Sequence, residues 1–193
     1  MIKYSDLLCN LLHDLGYTHC FFVHGGNIMH LLESARTQFE CTPFVHEHSA
    51  VVAAEYFNEV SDGPGSKAFV LVTAGPGLTN SVTGIAGAWL ESRELLVIGG
   101  QCKASDLARG ELRQRGHQEV DGVGIVRSIT KSAVLIDKPV AVSDIASVIL
   151  TGSQGRSGPV FIEVCLDVQA GHVDEEELAP DLLTLQSPPL VTA

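Results

Sequence analysis

Three short segments carry residue types that can do chemistry on a small molecule. The first is His46-Glu47-His48, a carboxylate placed directly after the apolar run 42–45 and directly before an alanine-rich stretch. At the exit of a strand and the start of a helix the helix dipole favours that charge, so Glu47 is either a working carboxylate or a decoration of the first helical turn. Its flanking histidines do not form a metal pair: at i, i+2 they point to opposite faces of a strand and share no face of a helix. The second segment, His24-Gly25-Gly26-Asn27, offers bare backbone that a ligand can approach closely, or only the geometry of a strand-to-helix turn. It is not the dinucleotide fingerprint G-x-G-x-x-G, and no G-K-[ST] of a phosphate-binding loop is present. The third, Thr73-Ala74-Gly75-Pro76-Gly77-Leu78-Thr79-Asn80, opens a helix with small residues and can present backbone to a polar ligand, while Gly84 and Gly87 allow that helix to press against a neighbour. A further stretch, 101–123, carries Arg109, Arg113 and Arg115 among glycines, keeps neither the strand nor the helix period, and reads as a functional loop with a short helix.

These segments punctuate a strand–helix rhythm. Ser5 is placed to cap a helix with the apolar face Leu7, Leu8, Leu11, Leu12 and Leu15, and Gly16 to end it. Strand 18–23 precedes a helix with Ile28, Leu31, Leu32 and Ala35 on one face; strand 42–45 precedes helix 49–60; strand 68–73 precedes helix 78–90; strand 94–98 follows. Beyond the polar loop come strand 128–136, helix 139–150 and strand 159–166. Continuous apolar strands alternating with helices predict an α/β fold, a three-layer doubly wound parallel sheet, which places ligands at the carboxyl ends of its strands. The domain is expected over 1–170. From 171 to 193, Asp174-Glu175-Glu176-Glu177, Pro180 and Pro188-Pro189 read as an acidic, proline-containing tail or linker without packed structure.

A chain of 193 residues, 45% hydrophobic and 18% charged, suits one domain with a sizeable core. Twelve Lys and Arg against twenty-three Asp and Glu give a net charge of −11, which excludes a general binder of nucleic acid or of anionic membrane. Five cysteines lie far apart with no C-x-x-C pair, as expected of reduced thiols in the cytoplasm. No apolar run approaches the roughly 20 residues of a membrane span, and Asp6 interrupts the leucines where a targeting peptide needs a clean apolar core. The protein is therefore expected to be soluble and cytoplasmic.

Taken in order, the segments resemble the N-terminal pyrimidine-binding (PYR) domain of thiamine-diphosphate enzymes, in particular the acetolactate synthase-like family. Val45-His46-Glu47 resembles that family's R-H-E motif, Thr73-Ala74-Gly75-Pro76-Gly77 with Asn80 its T-S-G-P-G-x-x-N motif, and His117-Gln118-Glu119-Val120-Asp121 its F-Q-E-x-D segment. Ile129-Thr130-Lys131, and Gly155-Arg156-Ser157-Gly158-Pro159-Val160 running to Asp167-Val168, agree as well. The resemblance implies that Glu47 is catalytic: it hydrogen-bonds N1′ of the cofactor's aminopyrimidine, so that the 4′-nitrogen can take the proton from the thiazolium C2, and it should lie in an apolar pocket. It further implies that Gly25 and Gly26 lie by the aminopyrimidine, that Gly75, Pro76 and Asn80 line the interface with a partner subunit, and that Gln118 faces the substrate. Turn geometry for the glycines, helix capping for Asn80 and a surface amide for Gln118 remain open on the residues alone. His24 stands where the family commonly has proline, either as an acid or base near the reacting carbon or as a reshaped loop. His48 and His117 likewise replace a glutamine and a phenylalanine.

The resemblance stops at one domain. The family's diphosphate-binding (PP) domain, with its G-D-G…N motif for Mg²⁺ and diphosphate, has no counterpart here; Asp62-Gly63 and Asp121-Gly122 are the two Asp-Gly pairs, and neither belongs to such a motif. Thiamine diphosphate and Mg²⁺ are therefore expected to be anchored mainly by a partner PP domain, a separate subunit or the missing C-terminal part of the same chain, in a dimer or tetramer of PYR/PP pairs, with no metal ligand on this chain. The implied function is the PYR subunit or fragment of a 2-keto acid decarboxylase or carboligase. The alternative is a non-catalytic PYR-fold dimerisation or regulatory module, against which the retained glutamate speaks.

Overall fold

The structure, a computed structural model, describes residues 1–61 and 65–179. Asp62-Gly63 and the prolines at 180, 188 and 189 lie outside the described residues. Strand β1 (Ile2–Lys3) runs straight into α1 (Tyr4–Asp14); β2 (Tyr17–Phe22) leads through a turn to α2 (Met29–Ala35), and β3 (Glu40–Pro43) to α3 (Glu47–Val60). Then β4 (Lys67–Val72) is followed by α4 (Pro76–Glu91), and β5 (Leu95–Gln101) by a long loop ending in α5 (Gly122–Val126). The described chain closes with β6 (Ser132–Ile136), α6 (Val142–Leu150), β7 (Pro159–Cys165), α7 (Leu166–Ala170), β8 (His172–Val173) and α8 (Glu175–Leu178).

Six strands form one parallel sheet in the order β3-β2-β4-β5-β7-β6. Because side chains alternate along a strand, the central strands feed two cores at once. Phe69 and Leu71, Leu96 and Ile98, and Val160, Ile162 and Val164 face the layer of α1, α2, α6 and α7. Their neighbours Val70 and Val72, Leu95 and Val97, and Phe161 face α3, α4 and α5. This is the three-layer doubly wound arrangement that the apolar runs predict. Phe161 has no exposed surface and sits where a Cβ on Gly99 would approach its Cζ to 2.9 Å. Phe161→Ala should cost about 3–5 kcal/mol, read from denaturant midpoints; a loss below about 1 kcal/mol would mean that the second core does not carry the fold.

Several boundaries differ from the sequence reading, each for a tertiary reason. Ser5 does not cap α1; it lies inside the helix, buried, with Oγ 2.9 Å from Ser34 Oγ, and so ties α1 to α2. Gly16 ends that helix with φ +86. Strand β3 stops at Pro43, which has no N–H to donate, and Val45 is fully exposed. Helix α6 starts at Val142 instead of 139 because the Tyr4 hydroxyl takes both backbone groups of Val140, donating to its carbonyl at 2.9 Å and accepting from its N–H at 3.0 Å. Residues 127–129 form a 3₁₀ turn, and the chain joins the sheet only at Ser132. The packed body also continues past 170. His172–Val173 pairs antiparallel with Ile2–Lys3, Val173 is buried, and Leu178 and Ala179 lie against the core. Asp174 caps α8 by accepting from Glu176 N, leaving the other three acidic side chains in solvent.

Candidate active site

Strand order reverses between β2 and β4. After β2 the chain moves outward to β3 and then crosses back to the other side of β2, and the loops leaving β2 and β4 feed helices on opposite faces. A crevice at the carboxyl ends of the two strands follows from that topology. Residues 24–27 and 73–77, the two glycine-bearing segments, form its edges.

Glu47 is the first residue of α3 and enters this crevice 8% exposed. Its helix starts there because His46 is the cap: its Nδ1 accepts from His48 N at 3.2 Å. Glu47 Oε2 accepts from Asn80 Nδ2 at 2.9 Å, whereas Oε1 has no hydrogen bond among the described residues and lies beside Gly77, where a Cβ would stand 3.5 Å away. Asn80 sits inside α4, whose cap is Gly75, so its amide holds the carboxylate and does not cap the helix. His48 turns toward α4 at Gly84, a true packing glycine whose Cβ would meet Val51 Cγ1 at 2.6 Å; a Cβ on Gly87 would meet nothing within 4 Å among the described residues.

The glycines divide by role. Gly75 has φ +61, and a Cβ there would lie 2.5 Å from the Gln118 carbonyl oxygen, so this position both turns the chain and receives the 102–121 loop. Pro76 follows as the first residue of α4, its missing N–H harmless there. Gly25 is extended, but a Cβ would come within 2.4–2.7 Å of three Thr73 side-chain atoms. Gly26 faces open space. Gln118 itself has φ +58, and its side-chain amide makes no hydrogen bond among the described residues. His24 stands exposed at the end of β2.

Sequence reasoning missed the residues that hold these loops together. Asn27 is buried, and its N–H donates to Thr73 Oγ1 at 3.4 Å, its amide to the His117 carbonyl at 3.4 Å, while its own carbonyl accepts from Gln169 Nε2 at 2.7 Å. A Cβ on Gly100 would lie 2.0 Å from that carbonyl, so the glycine pair at the end of β5 signals the close approach of another backbone. Glu119 organises the aperiodic loop by accepting from Ala108, Arg115 and Gly116 N–H at 2.5, 2.8 and 2.9 Å. Burial works to raise its carboxyl, but those three donors and Arg115 hold it below the ordinary range.

Beneath the same loop, Glu163 on β7 is 2% exposed. Burial pushes its carboxyl up to about 8, against a hydrogen bond from Gln101 that lowers it, and Asp121 and Glu119 add to the rise. The folded carboxyl therefore keeps its proton where an unfolded one, at 4.5, has lost it. Stability is full below that unfolded value, declines as pH rises to about 8, and stays lost above. Glu163→Gln should then exceed the wild type in stability by on the order of a few kcal/mol at about pH 9 and match it near pH 4.5. Thermal unfolding across that range checks this, and a pH-independent difference would contradict it.

Five cysteines are unpaired, and no helix among the described residues is long and apolar enough to cross a membrane. Compared with known proteins, residues 2–125 match the family model described as thiamine pyrophosphate enzyme, N-terminal TPP binding domain. The chain is 34% identical over 175 residues to the acetolactate synthase large subunit of Lactococcus lactis, covering 89% of this chain and 29% of that protein. It is 31% identical over 167 residues to the Buchnera aphidicola large subunit, covering 85% and 28%, and 33% identical over 175 residues to the mitochondrial acetolactate synthase of Schizosaccharomyces pombe, covering 86% and 24%. The chain thus spans less than a third of the length of these relatives.

Proposed function

The chain belongs to the family of N-terminal TPP-binding domains of thiamine pyrophosphate enzymes, acetolactate synthase-like in sequence, and from that premise we propose that it supplies the pyrimidine-binding half of a thiamine-diphosphate site in a 2-keto acid decarboxylase or carboligase, with Glu47 as its acid–base residue. One observation carries the reading: a buried carboxylate at the switch crevice, fixed through Oε2 by Asn80, with Oε1 left without a hydrogen bond among the described residues. A group with a ring nitrogen able to share a proton fits that free oxygen, and the glycine edges at 25–26 and 75–77 admit a flat ring close to backbone. Bound thiamine diphosphate supplies an acidic carbon and an electron sink for the pair left by departing CO₂. Glu47 holds or yields a proton at Oε1, and Asn80 keeps the carboxylate oriented. Gly75 and Pro76 set the turn that receives the Gln118 loop, which brings the Gln118 amide to the substrate side. His24 stands at the mouth as a second acid or base.

Among the described residues no three His, Cys, Asp or Glu side chains converge as metal ligands. On the resemblance to the family, Mg²⁺ and the diphosphate are assigned to a PP domain, on another chain or in a longer version of this one, with pairs assembled as dimers or tetramers. The free cysteines favour a cytoplasmic setting, although some relatives are named as mitochondrial or chloroplastic. To test the proposal, the purified chain is mixed with a PP-domain chain of an acetolactate synthase, thiamine diphosphate and Mg²⁺, and CO₂ release from pyruvate is followed. The chain alone should be inactive and the mixture active. An assembled complex that binds cofactor but releases no CO₂ from any 2-keto acid tried would contradict the reading.

A further inference from the structure

Of the five cysteines, four are buried and one, Cys41 on β3, is partly open to solvent. Strand β3 is the edge of the sheet, paired on one side with β2 and on the other with no strand among the described residues. In the parallel register of these two strands Cys41 stands directly opposite Cys20. Both side chains lie on the same face of the sheet and pack into the core beneath α1 and α2, where Cys9 of α1 is also buried. Neither Cys20 nor Cys41 belongs to segments 24–27, 46–48 or 73–80, so the pair is independent of the thiamine-diphosphate reading.

A buried thiol ordinarily serves as a small hydrophobe, and Cys9, Cys102 and Cys165 fit that role: burial pushes them up to about 12, about 11 and about 12. Cys41 differs. The Cys20 thiol donates to its sulfur, which holds the Cys41 thiol below the ordinary range against its partial burial. Burial, with the same bond, keeps Cys20 well above that range. A sulfur that favours thiolate and meets solvent, beside one that stays a thiol, divides the pair into an attacking and a resolving member. The backbone permits closure, because neighbouring strands lie about 4.8 Å apart, within the roughly 4.4–6.8 Å between Cα atoms that a disulfide spans.

We propose that Cys41 is a site of reversible oxidation by hydroperoxides, with Cys20 as its resolving thiol, the two closing a disulfide between β2 and β3. The Cys41 thiolate attacks the terminal oxygen of the hydroperoxide. An S–O bond forms, the O–O bond breaks, and the peroxide leaves as an alcohol, or as water from hydrogen peroxide, after taking up a proton. Cys41 is then a sulfenic acid, oxidised by two electrons that the peroxide has received. The Cys20 sulfur attacks that of Cys41; the S–S bond forms, the S–O bond breaks, and hydroxide departs as water with the Cys20 proton. In sum, two thiols and one hydroperoxide give a disulfide, an alcohol and water. Thiol–disulfide exchange with a dithiol restores both cysteines.

The test uses the full chain, reduced and desalted, with hydrogen peroxide as the probe and no cofactor or metal present. After treatment the protein is alkylated in denaturant and its peptides are mapped by mass spectrometry. A Cys20–Cys41 cross-linked peptide, lighter by two hydrogens than the two thiol peptides together and lost on treatment with dithiothreitol, is the expected product. In the untreated native chain, iodoacetamide should modify Cys41 at least about tenfold faster than any of the other four. Cys20→Ala should leave Cys41 as a sulfenic acid that dimedone captures, and Cys41→Ser should abolish the cross-link; circular dichroism checks that both variants are folded. The wild-type map does not depend on either variant. A bridge from Cys41 to Cys9, a bridge between two chains on a non-reducing gel, faster alkylation of a buried cysteine, or oxidised Cys41 with Cys20 still free would each overturn the proposal. Because the assay holds no thiamine diphosphate, its outcome is independent of whether the chain supports decarboxylation.

Discussion

Glu47→Gln should reduce keto acid decarboxylation by the assembled enzyme by about 10²–10⁴-fold, the range that a positioned acid–base group contributes. Glutamine keeps the length of the side chain and can still accept from Asn80 Nδ2 through its oxygen, so the 2.9 Å bond that fixes the residue survives. What it loses is the ability to hold a proton that a ring nitrogen can share. The effect should therefore fall on kcat, with the melting temperature of the variant within a few degrees of wild type and its affinity for cofactor in the complex little changed. Asn80→Ala separates position from chemistry: it leaves the carboxylate in place but removes the bond that orients it, and should lose activity to a lesser degree. Steady-state CO₂ release at saturating cofactor, with thermal unfolding of each variant, makes the comparison. A Glu47→Gln enzyme within about tenfold of wild type would remove the carboxylate from the mechanism.

The second large effect is on the scaffold of the site. Gly75→Ala should cost about 2–4 kcal/mol, the sum of a left-handed backbone position that a side chain resists and a Cβ forced against a carbonyl. That carbonyl belongs to Gln118 and would be 2.5 Å from the new atom, and a backbone atom cannot swing aside as a side-chain tip can. The loop carrying Gln118 would then be displaced, so activity in the complex should fall together with stability. Gly26→Ala is the built-in contrast. Its Cβ would meet nothing within 4 Å and its φ is not left-handed, so stability should stay within about 1 kcal/mol of wild type and can rise through the stiffer unfolded chain. Denaturant midpoints of the two variants decide the matter, and equal losses would show that the contact at Gly75 does not discriminate between the two glycines.

The sheet was legible because its information is local. A strand buried on both faces must be largely apolar, as at Phe69 to Val72 and Val160 to Ile162, and such strands alternating with helices leave few topologies. Glu47 was legible for a related reason, since a carboxylate between an apolar run and an alanine-rich helix marks a strand exit wherever it occurs. What could not be read are the bonds between segments far apart in the chain. Tyr4 reaches Val140 and Gln169 reaches Asn27 across 136 and 142 residues, and nothing near either end announces the other. Ser5 shows the same limit from the opposite side: a local capping rule fits it, but the tertiary partner Ser34 decides its role. The 102–121 loop lacked a period because side-chain-to-backbone bonds, above all those of Glu119, hold it in place of a ladder. The acid buried beneath that loop, Glu163 of β7, is concealed within an otherwise apolar strand.

The central claim is that Glu47 promotes loss of the cofactor's reactive proton, and the most direct measurement is hydrogen–deuterium exchange at C2 of thiamine diphosphate, read by proton NMR after acid quenching of the assembled complex. The wild-type complex should exchange this proton at least about 10²-fold faster than free cofactor, and Glu47→Gln should bring the rate back close to that of free cofactor while cofactor remains bound. Equal exchange rates in the wild-type and Glu47→Gln complexes, both with cofactor bound, would contradict the account.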